Sequence, residues 1–416
     1  MLAIYSFALL LVLLVGAPYW LFRMATSGKY REGLAERLGF VPRRLAISKR
    51  ILWVHAVSVG EVLAASRLIE DLSARSGCTV VISTTTRTGQ RLARERFGAD
   101  RVFYFPLDFA FAVRAYLRTL RPGMVVLLET EFWPRMLVEC RRAGTPMAVV
   151  NARISDRSWP RYRRLRFLWE RLLNNFAVAL AQSQLDADRL ITLGASNVQV
   201  GGNLKFDIRV DQPAAITETL RTHLASGANV IVCGSTLAGE EELLLDALPP
   251  GVITILAPRH PERFDSVAAL LASRNLPHVR RSQWIAAPAP IAPGTIFLLD
   301  SMGELASVYS LATIAIVGGG ILVPGGHNPL EPAQFGIPAI IGPHYENFRG
   351  IVESLRRADA IVIAEAADFP QVIRNLLSNE SAAETIGARA RKVFENEAGA
   401  TERALTTLLA ILKERP

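Results

Sequence analysis

Ile51-Leu52-Trp53-Val54-His55-Ala56-Val57-Ser58-Val59-Gly60-Glu61-Val62 is the stretch on which the reading of the fold turns. The run Ile51–Val57 is apolar and strand-forming, the small-residue loop Ser58-Val59-Gly60 interrupts it, and a helical pattern begins at Glu61. The same strand-then-helix unit recurs. Further strands are predicted at Thr79–Thr84, Val102–Pro106, Met124–Glu129, Met147–Asn151 and Val178–Gln182, each beside an amphipathic helix. A second series starts at Val230–Cys233 and continues through Ile253–Ala257, Ile296–Leu299, Ile314–Val317, Ala339–Ile341 and Ile361–Ile363. Strands apolar on both faces and separated by helices indicate parallel sheets covered on both sides. The chain is therefore expected to be α/β, with two doubly wound Rossmann-like domains facing a cleft at the carboxyl ends of their strands, where open sheets of this kind bind ligands.

Strand and helix signals fade across Gly201–Pro213, which places the domain junction there. The expected division is an anchor over residues 1–22, one domain over 23–205, a second over 206–400, and a helix over 401–416 that could pack back on the first domain. At 416 residues, with half of them hydrophobic and a fifth charged, the composition is that of a globular chain with two cores. Its 29 Gly and 23 Pro are spread along the sequence. Cys78, Cys140 and Cys233 lie far apart in apolar segments and read as small core residues of a chain kept in a reducing compartment.

From Leu2 to Phe22 no charged residue occurs, a run long enough to cross a hydrocarbon core of about 30 Å as a helix. It lacks the basic start and small-residue cleavage site of a signal peptide, so an anchor is the better reading. Pro18 leaves spanning or shallow insertion open. The basic residues that follow (Arg23, Lys29, Arg31, Arg37, Arg43, Arg44, Lys49, Arg50) place the body on the cytoplasmic side. The formal charge of +9 calls for an anionic partner. Nucleic acid is not expected, because neither basic cluster sits in a nucleic-acid-reading motif. The second cluster is Arg161–Arg171, and Trp159–Trp169, which overlaps it, mixes bases with aromatics at helical spacing and suits either an anionic membrane surface or an ordinary solvated helix face.

Several strand ends carry chemistry. Glu61 falls at a helix N-terminus, where it could accept a proton from a hydroxyl or merely favour the helix dipole. Glu129-Thr130-Glu131-Phe132-Trp133-Pro134 ends a buried strand in two acids, which share a side if the strand persists and separate if it turns. Lys205, in Gly202-Asn203-Leu204-Lys205-Phe206-Asp207, could neutralise a phosphate or a sugar carboxylate or be simply solvated. In the second domain, Pro258-Arg259-His260-Pro261-Glu262-Arg263, Asp300-Ser301-Met302-Gly303-Glu304-Leu305 and Gly318-Gly319-Gly320 with Gly325-Gly326-His327-Asn328-Pro329-Leu330-Glu331 all fall at strand ends. Three such loops on one sheet edge favour a nucleotide site, with a helix beginning near Asn328 offering N–H groups to phosphate and Glu331 suited to ribose hydroxyls. Asp186-Ala187-Asp188 has the D-x-D form of metal-using transferases but lies in a helical stretch read as a solvated face. No metal site and no cofactor is expected.

Taken together these blocks resemble the Kdo (3-deoxy-D-manno-oct-2-ulosonic acid) transferases of lipopolysaccharide biosynthesis. The matching motifs are His55–Glu61, Glu129–Pro134, Asn151–Ser155, Leu204–Asp207, Pro258–Phe264, Met302–Leu305 and Gly325–Glu331, in order along nearly the whole chain. The resemblance implies a GT-B fold, a CMP-Kdo donor, the lipid A precursor lipid IV-A as acceptor, and inverting, metal-independent transfer at the cytoplasmic face of the inner membrane. It implies an acceptor-binding first domain and a nucleotide-sugar-binding second one. By motif, Glu61 is the proton acceptor, Glu131 and Lys205 stabilise the transition state, and Arg259, His260, Met302, Gly303, Glu304, Asn328, Pro329, Leu330 and Glu331 hold CMP. Pro332-Ala333-Gln334 departs from the Ala-rich sequence of relatives and bears on local helix geometry. Another GT-B enzyme, a UDP-sugar transferase or an epimerase, would share the second-domain loops. A non-enzymatic membrane-associated protein would explain the anchor and bases but not the paired strand-end motifs.

Overall fold

Alternation of large apolar side chains makes each strand a two-faced wall. In the computed structural model, which describes residues 2–27, 31–45 and 50–413, Ile51 and Trp53 of β1 (Ile51–His55) enter one core cluster while Leu52 and Val54 enter the other. Every position of the strand is buried, as expected for a parallel sheet with helices on both faces. The chain divides into two units, one running to Ile208 and resuming at Ala398, the other Arg209–Glu397.

The first unit carries β1, β2 (Thr79–Thr84), β3 (Val102–Tyr104), β4 (Met124–Leu128), β5 (Met147–Ala152), β6 (Phe176–Ala181) and β7 (Val198–Val200), in the order β3-β2-β1-β4-β5-β6-β7 and parallel throughout. Strand order reverses between β1 and β4, so the loops after these two strands open at the switch point where doubly wound sheets bind ligands. Two of these loops carry Glu61 and Glu131. The helix Ala400–Lys413 belongs to this unit. It sets Leu405, Leu408 and Leu412 into the core beside Val62, Leu68 and Leu72 of the helix Val59–Arg75. Asp207 ties its start, accepting the N–H of Gly399 at 2.6 Å and of Thr401 at 2.5 Å.

The second unit repeats the design with β8 (Val230–Thr236), β9 (Ile253–Pro258), β10 (His278–Arg280), β11 (Ile296–Leu298), β12 (Ile314–Val317), β13 (Ala339–Ile341) and β14 (Val362–Ile363), in the order β10-β11-β9-β8-β12-β13-β14, again all parallel. Its switch point lies between β8 and β12, and the triple-glycine loop leaves β12 there.

Four expectations need correction. β7 and β10 were not expected; each is three residues long at a sheet edge, too short and too polar to leave a period. The strand read as Met124–Glu129 stops at Leu128, because Glu129 takes a left-handed backbone, φ 55°, and turns the two acids apart. The helix expected from Asn328 is a single turn, Leu330–Ala333, cut short by Gly336 at φ 72° and Pro338. Asp186 is not solvated. It is buried and accepts the Ile154 N–H at 2.9 Å and the Ser183 hydroxyl at 2.6 Å, so only Asp188 of the D-x-D pair faces water.

The N-terminal helix spans Leu2–Ser27, and by length and composition it could cross a membrane, with a mean hydropathy of 2.1. Lys29 and Lys49 of the first basic cluster lie outside the described residues. Of the others, Arg37 donates to the Thr85 carbonyl and covers the Tyr104 ring, Arg44 pairs with Glu36, and Arg50 donates to the Leu412 carbonyl. Those three guanidinium groups are therefore bound to the protein itself.

Candidate active site

In the first unit, helix Val59–Arg75 begins one residue after Ser58, and Glu61 in its first turn bends back on its own entry. One carboxylate oxygen accepts the Val57 N–H at 2.8 Å and the other the Ser58 hydroxyl at 3.1 Å. The helix-entry role is thus physically present. It does not explain the electrostatics, however. Glu61 is 9% exposed, and burial, with the Glu129 charge next in weight, pushes its carboxyl up to about 7 despite the two hydrogen bonds. A carboxyl with that value exchanges its proton near neutrality.

Glu131 follows the Glu129 turn and accepts the Trp133 indole N–H at 2.8 Å. Burial raises its carboxyl, the indole bond opposes, and Glu129 adds to the rise. Lys205 sits on the 3₁₀ turn Leu204–Asp207. Burial lowers its ammonium, Glu129 and Glu61 work against that, and Arg153 with it. These mutual influences bring Glu61, Glu129, Glu131, Arg153 and Lys205 into one electrostatic cluster at the β1–β4 switch point. A polar frame fixes the Lys205 turn. Asn151, buried at φ 60°, accepts the Leu204 N–H at 3.1 Å, and Asn203 accepts the Lys205 N–H at 3.0 Å while donating to Gln182 at 3.2 Å. His55, beside this cluster in sequence, is a core residue. It stacks on Phe105 at 3.9 Å, bonds Ser83 through Nδ1, and is kept neutral by burial, which lowers it to about 3.

In the second unit Arg259 acts electrostatically on the Gly325–Glu331 loop. Its charge lowers Glu331 and, after burial, depresses His327, to which His260 also contributes; His327 falls to about 4. Burial outweighs Arg259 and Asn328 at Glu331 and leaves its carboxyl near about 7. Asn328 also accepts the Leu330 N–H at 3.2 Å, shaping the turn. Met302 is 54% exposed beside Gly303 at φ 84°, and Glu304 is fixed by Arg281 at 2.6 Å and by Ser301. With the expected helix reduced to one turn, the positive potential here comes from Arg259 and the loop N–H groups rather than from a helix dipole.

Sequence reading missed what holds these loops. Glu240 and Glu241, fully buried at the start of the helix Glu240–Ala247, act as two clamps. Glu240 accepts the N–H of Gly319 at 2.7 Å, of Ile321 at 3.0 Å and of Leu237 at 2.9 Å, which pins the triple-glycine loop. Glu241 takes both Arg263 Nη groups, at 2.5 and 2.9 Å, and the Thr236 hydroxyl at 2.7 Å, which pins the Arg259–Arg263 loop. A side chain at Gly319 is excluded, since a Cβ there would stand 2.1 Å from the His327 ring. The available signal was a Gly-Glu-Glu first turn directly after a central strand.

Against known proteins, residues 32–208 match the family model for 3-deoxy-D-manno-octulosonic-acid transferase (kdotransferase). The chain is 32% identical over 401 residues to the 3-deoxy-D-manno-octulosonic acid transferase of Haemophilus influenzae, covering 93% of each chain. The Bordetella pertussis enzyme of that name is 34% identical over 373 residues, covering 86% of each. The chain belongs to the Kdo transferase family. Among solved structures, MurG of Acinetobacter baumannii shares the fold, with a TM-score of 0.53 at 15% identity over 86% of this chain and 98% of that one. The fold class is therefore GT-B, with two parallel seven-stranded sheets flanked by helices.

Proposed function

We propose that this Kdo transferase moves Kdo from CMP-Kdo to a hydroxyl of lipid IV-A with inversion and without a metal ion, Glu61 serving as the base. The observation that carries the reading is the buried carboxyl of Glu61, pushed up to about 7 at a switch point also occupied by Glu131 and Lys205. In the reaction the acceptor oxygen attacks the anomeric carbon of Kdo, the bond from that carbon to the CMP phosphate oxygen breaks, and the acceptor proton passes to Glu61. Positive charge grows on the sugar ring and negative charge on the departing phosphate. The Glu131 carboxylate stabilises the first, and the Lys205 ammonium suits the sugar's own carboxylate. Arg259 and His260 receive the phosphate charge, and Met302, Gly303 and Glu304 with Asn328 to Glu331 hold the rest of CMP.

A single displacement with one base inverts the anomeric centre. The N-terminal helix, uncharged from Leu2 to Phe22, and the exposed bases Arg161, Arg163 and Arg164, next to exposed Phe167, support work at an anionic membrane surface on the cytoplasmic face of the inner membrane. The deciding experiment incubates the membrane-bound protein with CMP-Kdo and lipid IV-A in the presence of EDTA and records product mass and anomeric configuration. A product heavier by one or more Kdo residues with inverted linkage is expected. No product with CMP-Kdo, or transfer from a UDP-sugar instead, refutes the reading.

A further inference from the structure

The N-terminal helix bonds the first unit at its start and leads into that unit at its end. At its start, Arg135 donates through Nε to the Ser6 hydroxyl at 2.8 Å and through Nη2 to the Leu2 carbonyl at 3.0 Å, and the Tyr5 hydroxyl bonds the Asp108 carboxylate. Asp108 itself accepts the N–H groups of Arg135 and Met136, each at 2.8 Å, closing the first turn of the helix Pro134–Arg142. Between the ends, exposure follows a stripe: Tyr5, Leu9, Leu13, Ala17, Trp20 and Met24 are partly covered, whereas Phe7, Val15 and Phe22 are 64–74% exposed. At 3.6 residues per turn, every partly covered residue from Leu2 to Met24 falls within an arc of roughly 120°.

A helix that crosses a bilayer puts its two ends on opposite sides of about 30 Å of hydrocarbon. Here the far end leads into the first unit, and the start is bonded to Arg135 and Asp108 of that same unit. The docking point also carries the ion pairs of Glu139 with Arg114, Arg135 and Arg142, groups that hydrocarbon does not accommodate. We infer that the N-terminal helix does not span the membrane but lies in its plane, the inner stripe on the protein and the outer face in the acyl chains of a single leaflet. Its first turn is clamped by Asp108 and Arg135. The partner surface is one lipid leaflet, because the outer face is uncharged and carries large apolar side chains along its whole length. The clamp closes the helix that directly follows the Glu129–Pro134 loop, so the depth of that leaflet sets the height of Glu131 above it.

The inference rests on the membrane reading above but not on the reaction. In the full chain in native membranes, a single cysteine is placed in a short polar extension ahead of Met1, and separately at Leu165→Cys on the body. Cys78, Cys140 and Cys233 are buried and serve as unreactive background. An impermeant maleimide is expected to label both cysteines from the same side, in inverted vesicles and not in intact spheroplasts. Labelling of the extension from the side opposite Leu165→Cys overturns the inference. A photoreactive benzoylphenylalanine in place of Leu2, which keeps the carbonyl that Arg135 bonds and leaves Ser6, Tyr5, Asp108 and Arg135 intact, is expected to cross-link within the same chain to the segment around Arg135, and no such cross-link in protein labelled from one side overturns the clamp. A full chain that does not sediment with membranes removes the membrane reading itself, and this inference with it.

Discussion

Replacing Glu61 with Gln separates the catalytic from the helix-entry role because the two move stability in opposite directions. The Glu61 carboxyl lies near about 7 in the fold, against an ordinary value of 4.5 for this group. The folded protein thus holds this proton more tightly than the unfolded chain does. The ionised group costs the fold nothing below about pH 4.5 and increasingly more as pH rises through 7. A gap of about 2.5 pH units corresponds to roughly 3 kcal/mol above pH 7. Gln carries no charge to bury, and its oxygen can keep one of the two hydrogen bonds to Val57 and Ser58; losing the other costs about 1 kcal/mol. Glu61→Gln should therefore be more stable than the parent by about 2 kcal/mol at pH 8 and nearly unchanged at pH 5. A residue serving only the helix dipole would instead lose about 0.3 to 1 kcal/mol on the same change. Thermal denaturation at the two pH values reads the difference, and CMP-Kdo transfer followed by mass reads turnover. The transfer rate should fall at least about a hundredfold. The parent rate should rise about tenfold from pH 6 to pH 8 as a carboxyl near 7 loses its proton, whereas one at 4.5 would leave the rate flat. A Glu61→Gln protein that transfers Kdo almost normally, or that melts lower than the parent at pH 8, refutes the assignment and makes Glu131 the next candidate.

CMP should raise the melting temperature more than UMP or UDP at equal concentration, and Arg259→Ala should abolish that rise; equal protection by UDP would count against a cytidine nucleotide. Glu240→Gln replaces a carboxylate that accepts three N–H groups, so the second unit should lose at least about 2 kcal/mol in denaturant unfolding and CMP should bind more weakly. Gly319→Ala, forced into φ 78° and against His327, should cost about 1 to 2 kcal/mol from backbone strain alone and prevent CMP protection. A chain lacking residues 1–22 should still float with phosphatidylglycerol vesicles at low salt and release at high salt, and Arg161→Glu with Arg164→Glu should abolish this; no flotation at any ionic strength confines membrane contact to the helix.

The sheets were legible where strands are buried on both faces, since runs such as Ile51–Val54 and Met124–Leu128 have no other economical explanation. Legibility ended where a partner far along the chain decides the outcome. Asp186 reads as a polar helix position until Ile154, thirty-two residues earlier, supplies the N–H that buries it. The two clamp residues Glu240 and Glu241 look like an ordinary acidic first turn, and only β12 and the Arg259–Arg263 loop reveal what they hold. The turn at Glu129 depends on a left-handed φ in a residue type that seldom takes one, which composition does not encode. His55, drawn toward the loops by its neighbours in sequence, belongs to the core because Ser83 and Phe105 close over it.

The return of the chain into the first unit has a consequence for how the protein is made. Leu405, Leu408 and Leu412 cover part of the first unit's core but are synthesised after the whole of Arg209–Glu397. The second unit can close on the ribosome as soon as it emerges, while the first, begun earlier, stays open along the face of Val62 and Leu68 until translation has passed Lys413. On the membrane reading proposed above, the apolar Leu2–Ser27 segment reaches lipid before either event, so attachment precedes completion of the first unit. Asp207 waits for Gly399 and Thr401 across the full synthesis time of the inserted unit.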